Sequence, residues 1–273
     1  MPKVLSSRIM REMYNTGGTT VTDTDIAKAL ETIDVQKGDT IFVHSDIATF
    51  GKLALPDKDL FLSRLVEVLR NSAGAKGTLV MPTFSYSFCR SEEFDRAKTP
   101  STVGSLSEFF RVQKGVVRNG HPIFSVAALG PHAKDFLATS KDSLGAGTIF
   151  ETLRTLDAKF VFFGTSFSRS CTFIHHIEQM AQVPYRFMKT FSGEIVEGKK
   201  RHHDSYTYYV RKLDGSGDAD FVHFEKLLLK KNILREVPVG RGYIQGIGAR
   251  ALYEQGMGLL NADPNAFIKR YAD

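Results

Sequence analysis

The densest chemical constellation in the chain is Thr172-Phe173-Ile174-His175-His176-Ile177-Glu178. On a helix His175 and Glu178 stand at i and i+3, so imidazole and carboxylate share one face and can hydrogen-bond. A carboxylate held to one ring nitrogen fixes the tautomer and steadies the imidazolium. The other nitrogen is then a general base for a proton on an attacking nucleophile. Thr172 lies on the same face one turn earlier, where its hydroxyl can orient the ring or donate to an oxygen. A surface ion pair on a helix accounts for the same spacing, so the motif alone does not decide.

Other chemistries have less support. His175, Glu178 and either His202 or His203 form a three-ligand alternative. However, His-x-x-Glu lacks the second helical histidine that makes zinc-protease motifs specific, and no metal is expected. No G-x-S-x-G elbow is present for a covalent serine mechanism. Val239-Gly240-Arg241-Gly242-Tyr243-Ile244-Gln245-Gly246-Ile247-Gly248 is glycine-rich but fits neither G-x-G-x-x-G nor the phosphate-loop pattern. Gln245 and Gly248 fit the coenzyme A turn of the common acetyltransferase superfamily, while Arg250 stands where a small residue belongs. The segment reads as a tight turn.

The elements that must position these residues alternate. Val21-Thr22-Asp23-Thr24-Asp25 places capping residues before a 3.6-period pattern, so a helix begins near Asp23. Thr40-Ile41-Phe42-Val43 is a β-branched run that stops at His44-Ser45-Asp46. A helix over 60–69 leads through Gly74-Ala75-Lys76-Gly77 to the strand Thr78-Leu79-Val80-Met81, which ends at Pro82-Thr83-Phe84-Ser85. Strand, helix, strand is a βαβ unit, and the polar strand ends are where open α/β sheets place ligands. Residues 94–100 read as a loop and 104–111 as a helix with Ser101 or Thr102 as cap. Residues 124–129 and 159–163 read as strands, and a helix from Thr172 to Gln182 stops at Pro184. Tyr206-Thr207-Tyr208-Tyr209-Val210 is the clearest later strand, followed by an amphipathic helix over 221–231. The expected architecture is one α/β or α+β domain over 1–273, a mixed sheet flanked by helices.

Composition narrows the classes. The 273 residues are 42% hydrophobic and 24% charged, which suits a globular core and excludes disorder and collagen-like chains. No apolar run approaches the roughly 18 residues of a membrane span, and Met1-Pro2-Lys3-Val4-Leu5 lacks a signal-peptide core. A cytoplasmic chain without membrane or nucleic-acid partners is the expectation. Cys89 and Cys171 are too few for a disulfide framework. With 36 Lys and Arg against 30 Asp and Glu, the net charge of +6 favours anionic partners such as nucleotides, phosphates or coenzyme A. The run Lys199-Lys200-Arg201-His202-His203 reads as a solvated loop in preference to a phosphate site.

Separate stretches then line up in one order. They are Val43-His44-Ser45 with Gly51, Gly77-Thr78-Leu79-Val80-Met81-Pro82-Thr83-Phe84-Ser85, Phe94-Asp95 with Thr99-Pro100-Ser101-Thr102-Val103-Gly104, Arg118 with His121-Pro122 and Ser125-Val126-Ala127-Ala128-Leu129-Gly130, and Thr172-x-x-His175-x-x-Glu178 before Val183-Pro184-Tyr185-Arg186. On these motifs, which span residues 43–186, the chain resembles the aminoglycoside 3-N-acetyltransferase family in its broad sense. The resemblance implies direct transfer of an acetyl or other short acyl group from acyl-coenzyme A to an amine. It also implies a fold distinct from the common acetyltransferase superfamily. By the same resemblance His175 takes the catalytic position and Glu178 that of its partner, with Thr172 beside them. His44, Ser45, Thr83, Ser101, Val103 and Gly104 are the candidates for the coenzyme A side. Asp95, His121, Tyr185 and Arg186 are the candidates for the acceptor, though His121 serves equally as a structural hydrogen-bonder and Tyr185 and Arg186 equally as the close of the helix.

A polycationic aminoglycoside calls for a pocket rich in Asp and Glu, whereas this chain is basic. Lys199, Lys200, Arg201, Arg211 and Lys212 mix with Tyr206, Tyr208 and Tyr209, a pairing that suits a phosphate-bearing acceptor with a ring to stack. The principal expectation is therefore acylation of a nucleotide-linked (dTDP) 3-amino-3,6-dideoxyhexose for surface polysaccharide. Alternatives are an aminoglycoside 3-N-acetyltransferase conferring antibiotic resistance, and a non-catalytic module that binds coenzyme A or a nucleotide. A homodimer is compatible with each of these readings.

Overall fold

The computed structural model describes residues 11–269; the segment 1–5, read above for a leader, lies outside them. In chain order the strands are β1 (Glu12–Asn15), β2 (Thr20–Thr22), β3 (Thr40–Ser45), β4 (Lys52–Leu53), β5 (Thr78–Pro82), β6 (Phe94–Asp95), β7 (Val117–Arg118), β8 (Val126–Leu129), β9 (Lys159–Phe163), β10 (Arg186–Glu197), β11 (Lys200–Arg211), β12 (Arg235–Val239) and β13 (Gly242–Gly248). The helices are α1 (Asp23–Thr32), α2 (Lys58–Ala73), α3 (Ser105–Arg111), α4 (Ile149–Thr155), α5 (Phe167–Ser170), α6 (Phe173–Met180), α7 (Val222–Lys230) and α8 (Ala249–Ala262).

The expected mixed sheet is present. It has seven strands in the order β12-β13-β9-β3-β5-β8-β7. Its centre is parallel, with β3 between β9 and β5, and antiparallel strands extend both sides. Period-2 alternation sorts the side chains to two cores. Ile41, Val43, Leu79, Met81, Val161 and Phe163 face one, which α1, α2 and α3 cover. Phe42, Val80, Phe160 and Phe162 face the other, covered by α4, α6, α7 and α8. The strands are apolar on both faces because both faces are buried. No helix among the described residues is long and apolar enough to cross a membrane.

Local chemistry sets the boundaries. Thr22 caps α1 in a capping box with Asp25, as the sequence predicts. Asp57 caps α2 by accepting from the Leu60 N–H, and the helix, closed at Gly74, runs past the expected 60–69 at both ends. Neither Ser101 nor Thr102 caps α3; the N-cap is Gly104, at φ +123°. The Thr102 hydroxyl donates instead to the Phe84 carbonyl at 3.0 Å.

Three further readings are corrected. Residues 94–100 are not all loop, because β6 pairs with β10, Phe94 facing Ile195. Residues 199–203 are not a solvated loop; they turn into β11, which pairs with β10 from Arg186↔Arg211 to Glu197↔Lys200. The glycine-rich segment turns only near Gly240, and 242–248 is β13, paired with both β12 and β9. Its glycine has a packing cause: a Cβ on Gly246 would meet the Ile33 Cδ1 atom at 2.7 Å.

Candidate active site

Helix α6 is pinned between the sheet and α8. Phe173, Ile174 and Ile177 are buried in the core, and Ile177 fits against Gly256 so closely that a Cβ there would lie 2.9 Å from Ile177 Cδ1. His176 is buried too, its Nδ1 meeting the Leu144 carbonyl at 2.5 Å. With these groups fixed, the helix spacing brings His175 and Glu178 together on the side that faces the β10–β11 ribbon.

His175 Nδ1 lies 2.6 Å from Glu178 Oε2, with the Glu178 side chain fully buried and the His175 side chain 23% exposed. A carboxylate sealed from water in this way is not half of a surface ion pair, the plain alternative for this motif. Its other oxygen, Oε1, accepts a hydrogen bond of 3.0 Å from the Tyr185 hydroxyl. Arg186 Nε stands 2.8 Å from Oε2 as an ion contact, its N–H directed past the carboxylate. Arg186 Nη1 donates to the Tyr209 carbonyl at 3.1 Å, and Nη2 lies 2.8 Å from His175 Nδ1. Burial lowers the His175 pKa from the usual histidine value and the Arg186 charge lowers it further, against an upward pull from Glu178. Burial and the neighbouring Glu178 raise the Tyr185 hydroxyl well above the ordinary tyrosine value.

His175 and Arg186 open on a cavity of about 920 Å³. One face of the ribbon forms its wall: Phe187, Lys189 and Phe191 alternate on β10, and Tyr208 and Val210 answer them on β11. Phe221 closes the side opposite, its ring 5.8 Å from that of His175. Tyr208 and Arg211 are among the residues singled out in the sequence, whereas Phe187, Lys189 and Phe191 are not. Their signal is the period-2 alternation just after Pro184, where the sequence reads only as the close of a helix.

The remaining candidates fall in three places. Thr172 starts α6, and among the described residues its hydroxyl has no protein partner; the Thr172 carbonyl accepts from the His175 N–H at 3.0 Å. His44 and Ser45 end β3, and Gly104 approaches them, since a Cβ there would lie 3.5 Å from the Ser45 carbonyl oxygen. The His44 ring stacks on Phe162, and among the described residues its buried Nε2 has no partner. Ser101 and Val103 sit in the partly exposed loop before Gly104, joined by a 3.3 Å bond from the Val103 N–H to the Ser101 hydroxyl. Thr83 is fully buried, and its hydroxyl meets Arg118 Nε and the Ser125 hydroxyl, both at 3.2 Å. Asp95 ties its own turn by accepting from the Ala97 and Lys98 N–H groups. His121 Nδ1 accepts from the Ile123 and Phe124 N–H groups at 3.2 and 3.0 Å, with the ring buried. Neither Asp95 nor His121 lines the cavity at His175, and Tyr185 stands behind Glu178.

The metal alternative does not assemble. His202 and His203 pair with Ile195 and Glu194 at the far end of the ribbon, whereas Arg186 beside His175 begins it. Eight or nine residues of strand, about 3.3 Å each, separate them. Among the described residues no cluster of three or more metal-binding side chains occurs.

The chain matches the aminoglycoside 3-N-acetyltransferase family over residues 42–261. It is 30% identical over 248 residues to aminoglycoside N(3)-acetyltransferase IV of a Salmonella species, covering 86% of each chain. The crystal structure of a histidine-to-alanine mutant of aminoglycoside acetyltransferase AAC(3)-IVa in complex with a gentamicin superimposes at TM-score 0.76. It is 25% identical and covers 96% of this chain and 94% of that one. AAC-IIIb in binary complex with CoASH has the same fold at TM-score 0.75 and 21% identity, with coverage of 92% and 98%. These relatives overturn the nucleotide-linked 3-amino-3,6-dideoxyhexose as the acceptor and favour the aminoglycoside alternative. Of the cations behind the sugar-nucleotide argument, Arg211 lines the cavity, whereas Arg201 lies away from it on the distal ribbon, in ion pairs with Glu93 and Glu194 at 2.9 and 2.6 Å. Net charge describes a whole surface and not one pocket. By matched length and by identity the chain belongs to the aminoglycoside 3-N-acetyltransferase family.

Proposed function

We propose that the chain transfers an acetyl group from acetyl-coenzyme A to the 3-amino group of an aminoglycoside, with His175 as general base and Glu178 as its partner. The observation that carries this reading is the His175–Glu178 pair at the floor of a cavity of about 920 Å³. The relatives named for aminoglycosides supply the acceptor.

The amine nitrogen attacks the thioester carbonyl and its excess proton passes to His175 Nε2, the nitrogen that the Glu178 contact leaves free. The oxyanion formed meets the Thr172 hydroxyl as its donor. When the C–S bond breaks, the imidazolium returns the proton to the thiolate, giving the amide and free coenzyme A. His44, Ser45 and Gly104 are assigned to the donor side because they meet at the end of β3, where open α/β sheets take their ligands.

Thiol release from acetyl-coenzyme A with gentamicin as acceptor tests the reading. The His175→Ala chain is expected to lose about 10²- to 10⁴-fold in kcat, the ordinary worth of a general base, with its melting temperature retained. Absence of acceptor-dependent thiol release across aminoglycosides would sink the proposal, and so would an alanine variant that turns over as fast as the parent.

A further inference from the structure

His175 Nδ1 has one position in the ring plane for a hydrogen bond, and two groups compete for it. Glu178 Oε2, at 2.6 Å, needs an N–H there; Arg186 Nη2, at 2.8 Å, needs a lone pair. Only the Glu178-bound tautomer leaves Nε2 able to take a proton. Arg186 then stands donor against donor with the ring, and a second ring proton would set an imidazolium beside a guanidinium that is itself 4% exposed.

We propose that Arg186 is a positioning residue that keeps His175 neutral between turnovers, opposing the imidazolium that Glu178 alone would hold. The consequence is a base that is ready at neutral pH and sheds its proton quickly to the departing thiolate. The inference rests on the reading of His175 as the general base. Other groups around the ring do not supply this charge in its place. From α6 comes Glu178, and from the following turn Tyr185, which reaches Glu178 and not the ring. From the ribbon come Lys189 and Tyr208 on the cavity wall, and Arg211, paired with Asp218 at 2.6 Å. Lys269 also lines the cavity. The lowered pKa of His175, from burial and then from Arg186, agrees with the geometry.

The test is the pH dependence of kcat/KM for gentamicin, at saturating acetyl-coenzyme A, in wild type, Arg186→Met and Arg186→Lys. In Arg186→Met the acid limb is expected to move up by at least one pH unit. Activity near pH 6 then falls about tenfold more than activity on the alkaline plateau. Arg186→Lys, which restores a cation, is expected to return the limb towards wild type. A uniform loss in Arg186→Met with the limb unmoved overturns the proposal. Titration of the His175 ring by NMR in the wild-type chain, assigned by its absence in His175→Asn, needs no Arg186 variant to fold. A midpoint below the ordinary value of 6.5 is expected, and one above it overturns the proposal. This titration reads the effect on His175 even if no aminoglycoside is acetylated, so the two readings fail separately.

Discussion

A carboxylate sealed from water must have its lone pairs met by donors, and for Glu178 one of these is the Tyr185 hydroxyl at 3.0 Å. Removing that hydroxyl leaves Oε1 short of a partner in a site with no solvent to replace it. Tyr185→Phe is therefore expected to cost about 1.5–3 kcal/mol, read as a lower urea midpoint. It is also expected to slow kcat more than it raises KM, because the tyrosine reaches the base only through Glu178. An unchanged midpoint would mean that the hydroxyl contributes nothing to the buried carboxylate. At this scale the sequence is informative where function follows helix periodicity. The i, i+3 spacing of His175 and Glu178 is legible without a structure. Arg186 is not, because the contact joins two elements: its guanidinium reaches back across Pro184 to α6 only once β10 is docked. Spacing could not choose between a pocket residue and a helix terminator, and Arg186 lines the pocket while holding Glu178.

The β10–β11 ribbon is the element that converts the dyad into a site, and its alternation decides which side chains an acceptor meets. Lys189 extends from the cavity wall over the Phe191 ring, its Nζ 5.0 Å from the ring centroid. An aminoglycoside with several ammonium groups would approach this fixed cation at close range. Lys189→Glu is expected to lower the KM for gentamicin about fivefold or more at low ionic strength. The gain should shrink in 1 M salt, where the screening length is only about 3 Å, and kcat should be unchanged. A KM insensitive to the substitution at low salt would place the ammonium groups away from β10. The central strands were readable because both faces are buried and the runs 40–43, 78–81 and 159–163 are almost wholly apolar. The ribbon was half readable: only 206–210 carries enough aromatic and β-branched residues to register as a strand. The first half of β11, residues 200–205, is polar on both faces, so no alternation marks it. Strand β13 was missed for the opposite reason, since its glycines, of which Gly246 is required by the approach of Ile33 at the end of α1, imitate a turn.

Histidine burial is a property of the whole molecule, because the three rings concerned lie at separate points in the fold. His44 stacks on Phe162 at a strand end, His121 accepts two backbone N–H groups, and His176 is wedged among Phe150, Phe173 and Tyr253. Burial lowers their pKa values to about 3, 3 and 4. Each ring is thus neutral in the folded state, whereas in the unfolded chain it takes a proton below about pH 6.5. A base whose folded pKa is depressed contributes its full stability above 6.5 and loses it as the pH falls towards 3–4. The unfolded state binds the extra protons, so each ring lowers the unfolding free energy by about 1.4 kcal/mol per pH unit through that window. Three rings acting together remove about 4 kcal/mol per pH unit, so a stability of roughly 6–10 kcal/mol, within the range of a typical domain, is exhausted about 1.5–2.5 pH units below 6.5. The chain is expected to unfold cooperatively between about pH 5 and 4 and to bind close to three protons from these rings on unfolding near pH 5. Urea midpoints measured from pH 7.5 to 4.5 check the first expectation. Calorimetric unfolding in buffers of different ionisation enthalpy checks the second. A stability that stays flat down to pH 5 would mean that these rings reach solvent or a partner in the folded chain.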